Sequence, residues 1–508
     1  MEKTKYFPSL EEFTGMAKRG NLIPVFREIM ADMETPVSAF RNIDRGGPAF
    51  LLESVEGGEK WGRYSFLGVE PRVIFKSKDE NIEIITEGQG DKRKGDPISA
   101  LKEILSRYRP VTTDKLSRFY GGAVGYIGYD MVRFFEDLPD IAASDVDIYD
   151  AFFIITDTAL VFDNLEQKIK VIANAVIEKG DKPAEIYKKA IKKIDALVER
   201  LIKGHGPAPA GLKQGARGKG QGEITESSSS PDVVSNCTKE KFIGGVLKAK
   251  EYIQAGDVIQ VVLSQRFETG LDVEPFDIYR ALRVINPSPY MFYLRLDGIE
   301  LIGSSPEILV RVDGRDIDVR PIAGTRPRGK DKVLDKKLEE ELLKDPKELA
   351  EHIMLVDLGR NDIGRVAEAG SVSANELMLV ERYSHVMHIV SNVHGLLQQG
   401  KDSFDALRAC FPAGTLTGAP KVRAMEIIEE IEPAKRGAYG GSVGYFGFSG
   451  NMDMAITIRT LVIKDGKIYI QAGAGIVADS DPEKEYQETI NKAKAMLKAV
   501  EMAREGLE

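Results

Sequence analysis

GGAVGYIGYD at residues 121–130 and GGSVGYFGFS at residues 440–449 match glycine for glycine in separate halves of the chain. Each reads as a strand whose missing side chains let a neighbouring backbone come close. The echo has two explanations: convergence on a glycine-rich strand, or two related sheet-forming halves. Short strands and turns dominate the sequence around it. Residues 82–86, 151–162 and 169–172 read as strands in the first half, and 257–266, 308–312, 317–319, 456–463 and 467–471 do so in the second. Asp313-Gly314 and Asp465-Gly466 are hairpin turn signals, which imply antiparallel neighbours. Helices fall between the strands. Ile186, Ala190, Ile191, Ile194, Leu197, Val198 and Leu201 recur every three or four residues. Thr238 opens a second helix that runs to about Ala255, and Asp481-Pro482 opens a third. The prediction is an α+β fold of layered antiparallel β-sheets with peripheral helices.

Composition narrows the class of function. A length of 508 residues suggests two to four domains, and 43% hydrophobic with 29% charged residues is ordinary for a globular chain. A net charge of −9 and the lack of any Lys/Arg tract argue against a nucleic-acid partner. The basic cluster Arg326-Pro-Arg-Gly-Lys330 fits a loop or substrate recognition instead. Cys237 and Cys410 are the only cysteines, far apart and outside any Cys-x-x-Cys spacing, which fits a reducing compartment. The start, MEKTKYFPSLEEF, lacks the apolar core of a signal peptide, and no run reaches membrane-spanning length. A cytoplasmic protein without a membrane partner is expected. Residues 205–232 (HGPAPAGLKQGARGKGQGEITESSSSPD) are nearly free of large apolar side chains and cannot offset their ordering entropy. They divide the chain into a sheet-rich part over 1–203, a flexible linker over 204–232 and a second part over 233–508.

Chemistry concentrates in the second part. Glu348/Glu351 and Glu485/Glu488 are two Glu-x-x-Glu pairs, and residues three apart on a helix share a face. Each pair can aim two carboxylates at one point. Hard oxygen ligands without cysteine favour Mg²⁺, which keeps waters and takes one or two carboxylates. Such pairs are also common on solvated helix faces. Arg459 reads as a lone arginine on a strand, able to hold a carboxylate by a two-pronged bond or simply to face solvent. Gly473-Ala474-Gly475 reads as a turn that presents backbone N–H groups to an anion. His388 lies among apolar residues as on a half-buried strand, either a satisfied core histidine or an acid/base group. His352 and His385 are its rivals.

Six stretches in order set these residues in context. They are RPIAGTRPRG (320–329), ELAEHIMLVDLGRND (348–362), ERYSHVMHIVS (381–391), FPAGTLTGAPKVRAMEIIEEIEP (411–433), GAYGGSVGYFGF (437–448) and IQAGAGIVADSDPEKEYQET (470–489). Together they resemble the chorismate-utilising enzymes, and within them the anthranilate synthase large subunits. The likeness is dense over roughly residues 233–500 and looser before. It favours two related sheet-rich halves forming a two-part sandwich, and it implies chorismate as substrate. It also implies Mg²⁺ as cofactor, held by Glu351 and Glu488 with Glu348 and Glu485 close by or acting through water. By the same likeness His388, Thr325 and Glu348 are catalytic. Gly324, Thr325, Tyr439, Arg459, Gly473, Ala474, Gly475 and Lys492 contact chorismate.

Three positions bear on which member this is. Gln260 stands where water-using relatives carry a lysine, and an amide is a poor base, so ammonia is the implied nucleophile. Ala323 stands where aminodeoxychorismate synthases usually carry a lysine able to act as a nucleophile, and alanine cannot. NPSPYMF (286–292), with LLES (51–54), resembles a tryptophan-sensing segment and implies an effector site for L-tryptophan at Ser54, Pro289, Tyr290 and Met291. The implied reaction adds ammonia at C2 of chorismate with loss of the ring hydroxyl, then eliminates pyruvate to give anthranilate, the first committed step towards tryptophan. Neither cysteine sits in a glycine-rich nucleophile turn. The glutaminase that supplies ammonia is therefore expected on a separate glutamine amidotransferase subunit (component II), in a heterotetramer, unless free ammonium serves. The rival readings are aminodeoxychorismate synthase and a catalytically silent tryptophan-binding subunit.

Overall fold

The two glycine-rich echo strands lie side by side. In the computed structural model, which describes residues 6–55, 62–204, 233–383 and 386–507, Gly122–Ile127 pairs antiparallel with Ser442–Gly447. Gly125 stands opposite Gly444, and Gly122 opposite Gly447. A β-carbon on Gly125 would lie 1.9 Å from the Phe152 carbonyl oxygen, and one on Gly444 would lie 2.0 Å from that of Asp453. Only glycine fits a backbone approach that close.

This pair is the centre of one of two antiparallel sheets, each of twelve strands among the described residues. The other sheet is centred on Ala49–Glu53 paired with Tyr290–Leu296, Leu51 opposite Tyr293. Outward from both central pairs, strands of the first half run to one side and strands of the second half to the other. That is the order expected of two related halves about a pseudo-twofold axis. The sheets face each other across a core that includes Phe50, Phe119, Tyr126, Phe153, Phe292 and Phe446. Helix Pro183–Lys203 buries Ile194 against strand Lys168–Val176, and helices Pro275–Ile285 and Pro482–Glu505 bury Leu282 and Val500 against strand residues Ile302 and Ile468. Helices Lys239–Ala255 and Lys421–Ile431 cover Val261, Leu263, Ala474 and Ile476. The layered α+β fold is as expected from the sequence.

Two expected strands are each two strands. Residues 151–162 divide into Ala151–Thr156 in one sheet and Thr158–Asp163 in the other. Residues 456–463 divide into Met452–Ile456 and Thr460–Lys464, again in different sheets. Every residue of Ala151–Thr156 and of Thr158–Asp163 is buried. A strand apolar on both faces carries no alternation to mark where it changes layer. Ile299–Ser305 and Ile308–Asp313 make the same crossing at Pro306-Glu307. The expected strand at 257–266 begins later, running over Gln260–Gly270. The stretch read as a linker, from residue 205 to 232, lies outside the described residues. No helix among those described is long and apolar enough to cross a membrane.

Candidate active site

A crossing between layers opens the main cleft. Strand Lys467–Ile476 pairs with Gln260–Gly270 almost throughout. It pairs with Thr460–Lys464 only as far as Ile470 opposite Leu461. Beyond that point Thr457-Ile458-Arg459 has left for the other sheet, and Gln471, Ala472, Gly473 and Gly475 border a cleft of about 1080 Å³. The expected Gly-Ala-Gly turn is therefore strand, with Gly473 opposite Ser264 and Gly475 opposite Val262. Ala474 points to the far face, buried with Val261 and Ile476, so its side chain does not reach the cleft. Gly473 and Gly475 face it. A β-carbon there would come within 2.7 Å of the Tyr439 phenol and 2.6 Å of Gln260 Nε2, respectively. The Gly473 carbonyl accepts from Lys492 Nζ at 2.9 Å, and its amide faces the buried Tyr439 phenol.

Two helix starts bring in carboxylates. Asp345 caps Pro346–Gly364, accepting from the Lys347 and Glu348 amides, and Asp481 caps Pro482–Glu505 in the same way through Glu483 and Lys484. Glu351 and Glu488 both line the cleft. Burial raises the Glu351 pKa, with the nearby charges of Glu348 and Glu488 adding to it. The Gln260 side-chain amide donates to Glu351 at 3.4 Å. Its own carbonyl oxygen is buried without a partner among the described residues. Glu488 pairs with Lys492 at 2.7 Å. Glu348 pairs with Arg326 at 2.8 Å, and Arg326 also holds Asp345. Arg326 and Arg328 are thus taken up by acids, Arg328 by Asp335 at 2.9 Å, rather than left free to recognise substrate. Glu485 is turned towards Ser480 and is absent from the cleft lining. Among the described residues no three His, Cys, Asp or Glu side chains close into a metal cage. Two hard carboxylates beside an open, water-accessible cleft still fit Mg²⁺, which takes few protein ligands.

The opposite wall carries the other charge. Arg459 is not on a strand; it occupies the crossing with a left-handed φ of 48°. Burial lowers its pKa, and it makes no salt bridge with any described residue. A half-buried guanidinium with no ion pair among the described residues is a waiting anion site. Beside it lies Glu307, at the other sheet crossing, which the sequence reading missed. It is 8% exposed, and burial pushes its pKa up to about 8, with the Thr415 hydroxyl and Arg459 only partly opposing. Its sequence signal is a charged residue directly after Ser-Ser-Pro in an apolar stretch.

His388 completes the wall. It sits on strand Val386–Leu396, where Nδ1 lies 3.1 Å from the Gly324 carbonyl and 3.0 Å from the Thr325 hydroxyl. A carbonyl only accepts, so Nδ1 carries the proton and Nε2 keeps its lone pair. Burial lowers the His388 pKa to about 4, so the ring is neutral. A bulge at Gly324, with φ of 70°, lets Ala323 and Thr325 both face the cleft. Gly324 itself serves through its carbonyl. His352 is fully buried on Ser391 at 2.6 Å, outside the cleft, and His385 lies outside the described residues.

A second, smaller pocket of about 140 Å³ lies between the sheets beside the pseudo-twofold axis. Ser54, Pro289, Tyr290 and Met291 all line it, as do Glu53, Arg311 and Asp453. Tyr290 donates to Asp453 at 2.9 Å, and Arg311 reaches the same carboxylate at 2.8 Å.

The pattern of the family described as chorismate binding enzyme matches residues 48–498. Anthranilate synthase component 1 of Acetivibrio thermocellus is 51% identical over 98% of this chain and 99% of its own length. That of Aquifex aeolicus is 50% identical over 98% and 99%. The crystal structure of anthranilate synthase component I from Streptococcus pneumoniae TIGR4 superposes with a TM-score of 0.74 at 38% identity, covering 92% of this chain and 98% of that one. The isochorismate synthase MenF of Escherichia coli, at 19% identity and a TM-score of 0.68, shares the fold.

Proposed function

The chain belongs to the chorismate-binding enzymes, among the anthranilate synthase component 1 proteins, and on that premise we propose that it converts chorismate and ammonia to anthranilate and pyruvate. The observation that carries this reading is the polarity of the cleft. Arg459, a half-buried cation without a salt bridge to any described residue, faces into the same space as the carboxylates Glu351 and Glu488. A substrate with two carboxylates matches both walls: one carboxylate on Arg459, the other towards the acidic wall through a cation. Glu351 and Glu488 would hold Mg²⁺, with Glu348, held by Arg326, and Glu485, turned to Ser480, able to act only through water. The metal would supply Lewis-acid charge stabilisation at the ring carboxylate.

The chain's own groups divide the proton work. Glu307 is protonated below about pH 8 and lies in the cleft, so it can give its proton to the departing ring hydroxyl as the C2–N bond forms. His388, neutral and with Nε2 free of the Gly324 contact, can take the C2 proton as the enolpyruvyl C–O bond breaks and pyruvate leaves. Opposite shifts in two neighbouring groups sort acid from base. Thr325 fixes the imidazole. Gly473, Gly475 and Tyr439 bound the ring, and Lys492 adds a cation. Gln260, whose buried carbonyl can only accept, suits an N–H donor such as ammonia. Ala323, lining the cleft, offers no nucleophile for the aminodeoxychorismate route.

Ammonia comes from glutamine on a separate glutaminase subunit, and L-tryptophan fills the second pocket as inhibitor. Product analysis with chorismate, Mg²⁺ and ammonium, with and without L-tryptophan, tests the whole reading. Anthranilate and pyruvate, suppressed by tryptophan, are expected. A 4-amino product that retains the enolpyruvyl group would overturn the assignment.

A further inference from the structure

Ser304 sits at a junction between the cleft and the second pocket. Its backbone N–H donates to the Arg459 carbonyl at 3.1 Å. Arg459 holds its left-handed backbone there, a state that costs a non-glycine residue free energy unless its neighbours fix it. Ser304 is fully buried. Its hydroxyl donates to the Asn286 carbonyl and accepts from the Asn286 side-chain amide at 3.1 Å. Asn286 lines the cleft. It ends helix Pro275–Ile285 and leads within four residues to Pro289 and Tyr290 in the second pocket. Two further ties reach that pocket. The Ser288 carbonyl accepts from the Val55 amide at 3.2 Å. Tyr279 and Arg283, on the same helix, hold Glu53 in the pocket wall.

We propose that the Asn286–Ser304 clasp positions Arg459 and couples the two cavities, so that an amino acid in the second pocket weakens chorismate binding by shifting Asn286. The inference rests on the reading of Arg459 as the holder of a substrate carboxylate and of the second pocket as a tryptophan site. Ser304 and Asn286 act through Arg459 and are positioning residues. When the clasp opens, the crossing relaxes from its left-handed turn and the guanidinium leaves the cleft. Coupling between two sites is reciprocal, so chorismate must also weaken tryptophan binding.

Ser304→Ala keeps the backbone N–H and removes only the hydroxyl link. The test is calorimetric titration of the full chain with L-tryptophan, with and without chorismate, with ammonium withheld to prevent turnover. In the wild type, chorismate is expected to weaken tryptophan binding about tenfold, within the usual range of coupling. In Ser304→Ala that ratio falls to nearly one, while tryptophan affinity alone stays within about threefold. The KM for chorismate rises about fivefold or more with kcat nearly unchanged, as for lost uniform binding. Asn286→Ala has the same effect, and the double variant is no worse than either single one, as for one shared contact. Asn286→Ala carries the test alone if Ser304→Ala melts well below the wild type. Full coupling retained in a folded variant, or additive effects, would overturn the clasp while leaving the effector reading intact. A wild type that binds no tryptophan sinks the effector reading and the coupling together.

Discussion

Glu307 and His388 face one cleft in opposite protonation states for the same reason. Burial penalises charge, so it raises the carboxyl to about 8 and lowers the imidazole to about 4. Between those values the acid carries its proton and the base lacks one. The rate should therefore hold across neutral pH and fall as Glu307 ionises above about pH 8. Glu307→Gln keeps the shape and loses the proton. It should cost about 10² in kcat or more, the usual share of a general acid. The linkage has a stability side. A carboxyl whose folded pKa lies above its unfolded value contributes stability below the unfolded value and loses it as pH climbs through the folded one. The wild type should thus lose melting temperature between pH 7 and 9, and Glu307→Gln should lose less. Melting curves at the two pH values check this, and an equal drop in both proteins would show that Glu307 is already ionised at pH 7 in the folded chain, its pKa not raised. Lost activity with no change in the alkaline limb would remove it from the acid role.

At the scale of the element, the open end of strand Lys467–Ile476 is what makes a site from a sheet. Gly475 lies where a methyl group would meet Gln260 Nε2 at 2.6 Å, the atom that reaches Glu351. Gly475→Ala should push the amide aside and disturb the acidic wall without touching the core. We expect kcat/KM to fall about tenfold or more, since small misplacements at a reacting centre are costly. The melting temperature should stay close to that of the wild type. Unchanged kinetics would mean that the glycine serves only strand pairing. Much of this site was legible in the sequence, and what was not has physical reasons. Glu351, Glu488, His388, Thr325, Gly473, Gly475 and Tyr439 sit in long motifs, with Lys492 just beyond the last, and the fold brings all of them to one cleft. Arg459 was found but misplaced, because strands buried on both faces hide the point where the chain changes layer. The same blindness hid Glu307, which stands at a second crossing. The Gly-Ala-Gly stretch looked like a turn because glycine signals both turns and close-packed strands, and only the facing residues Ser264 and Val262 decide between them. Glu485 and Ala474 share motifs with cleft residues, yet Glu485 is drawn back to Ser480 at the start of its helix and Ala474 points away by one step of the pleat.

At the scale of the molecule, the two halves are not set side by side as separate bodies. Each sends strands to both sheets, and they meet at two central pairs. The second pocket lies where those pairs stack, with Met291 from one sheet and Gly444 from the other in its wall. An occupant there would touch both halves at once, so the effector proposed for this pocket would sit at the seam that the cleft's own strands extend from. The glycine echo is the sequence trace of this seam. Gly444 opposes Gly125, and an added methyl on Gly444 would lie 2.0 Å from the Asp453 carbonyl oxygen, a backbone atom that cannot turn away. Asp453 in turn anchors Tyr290 and Arg311 in the pocket wall. Gly444→Ala should therefore cost about 1–3 kcal/mol or more, as for overpacking a rigid site. It should also loosen L-tryptophan binding before it affects ammonium-dependent turnover, because the distorted carbonyl belongs to the pocket and not to the cleft. Thermal melting with tryptophan titration of the same variant measures both. A variant that melts like the wild type would show that the seam tolerates a side chain, and the glycine echo would then lose its structural meaning.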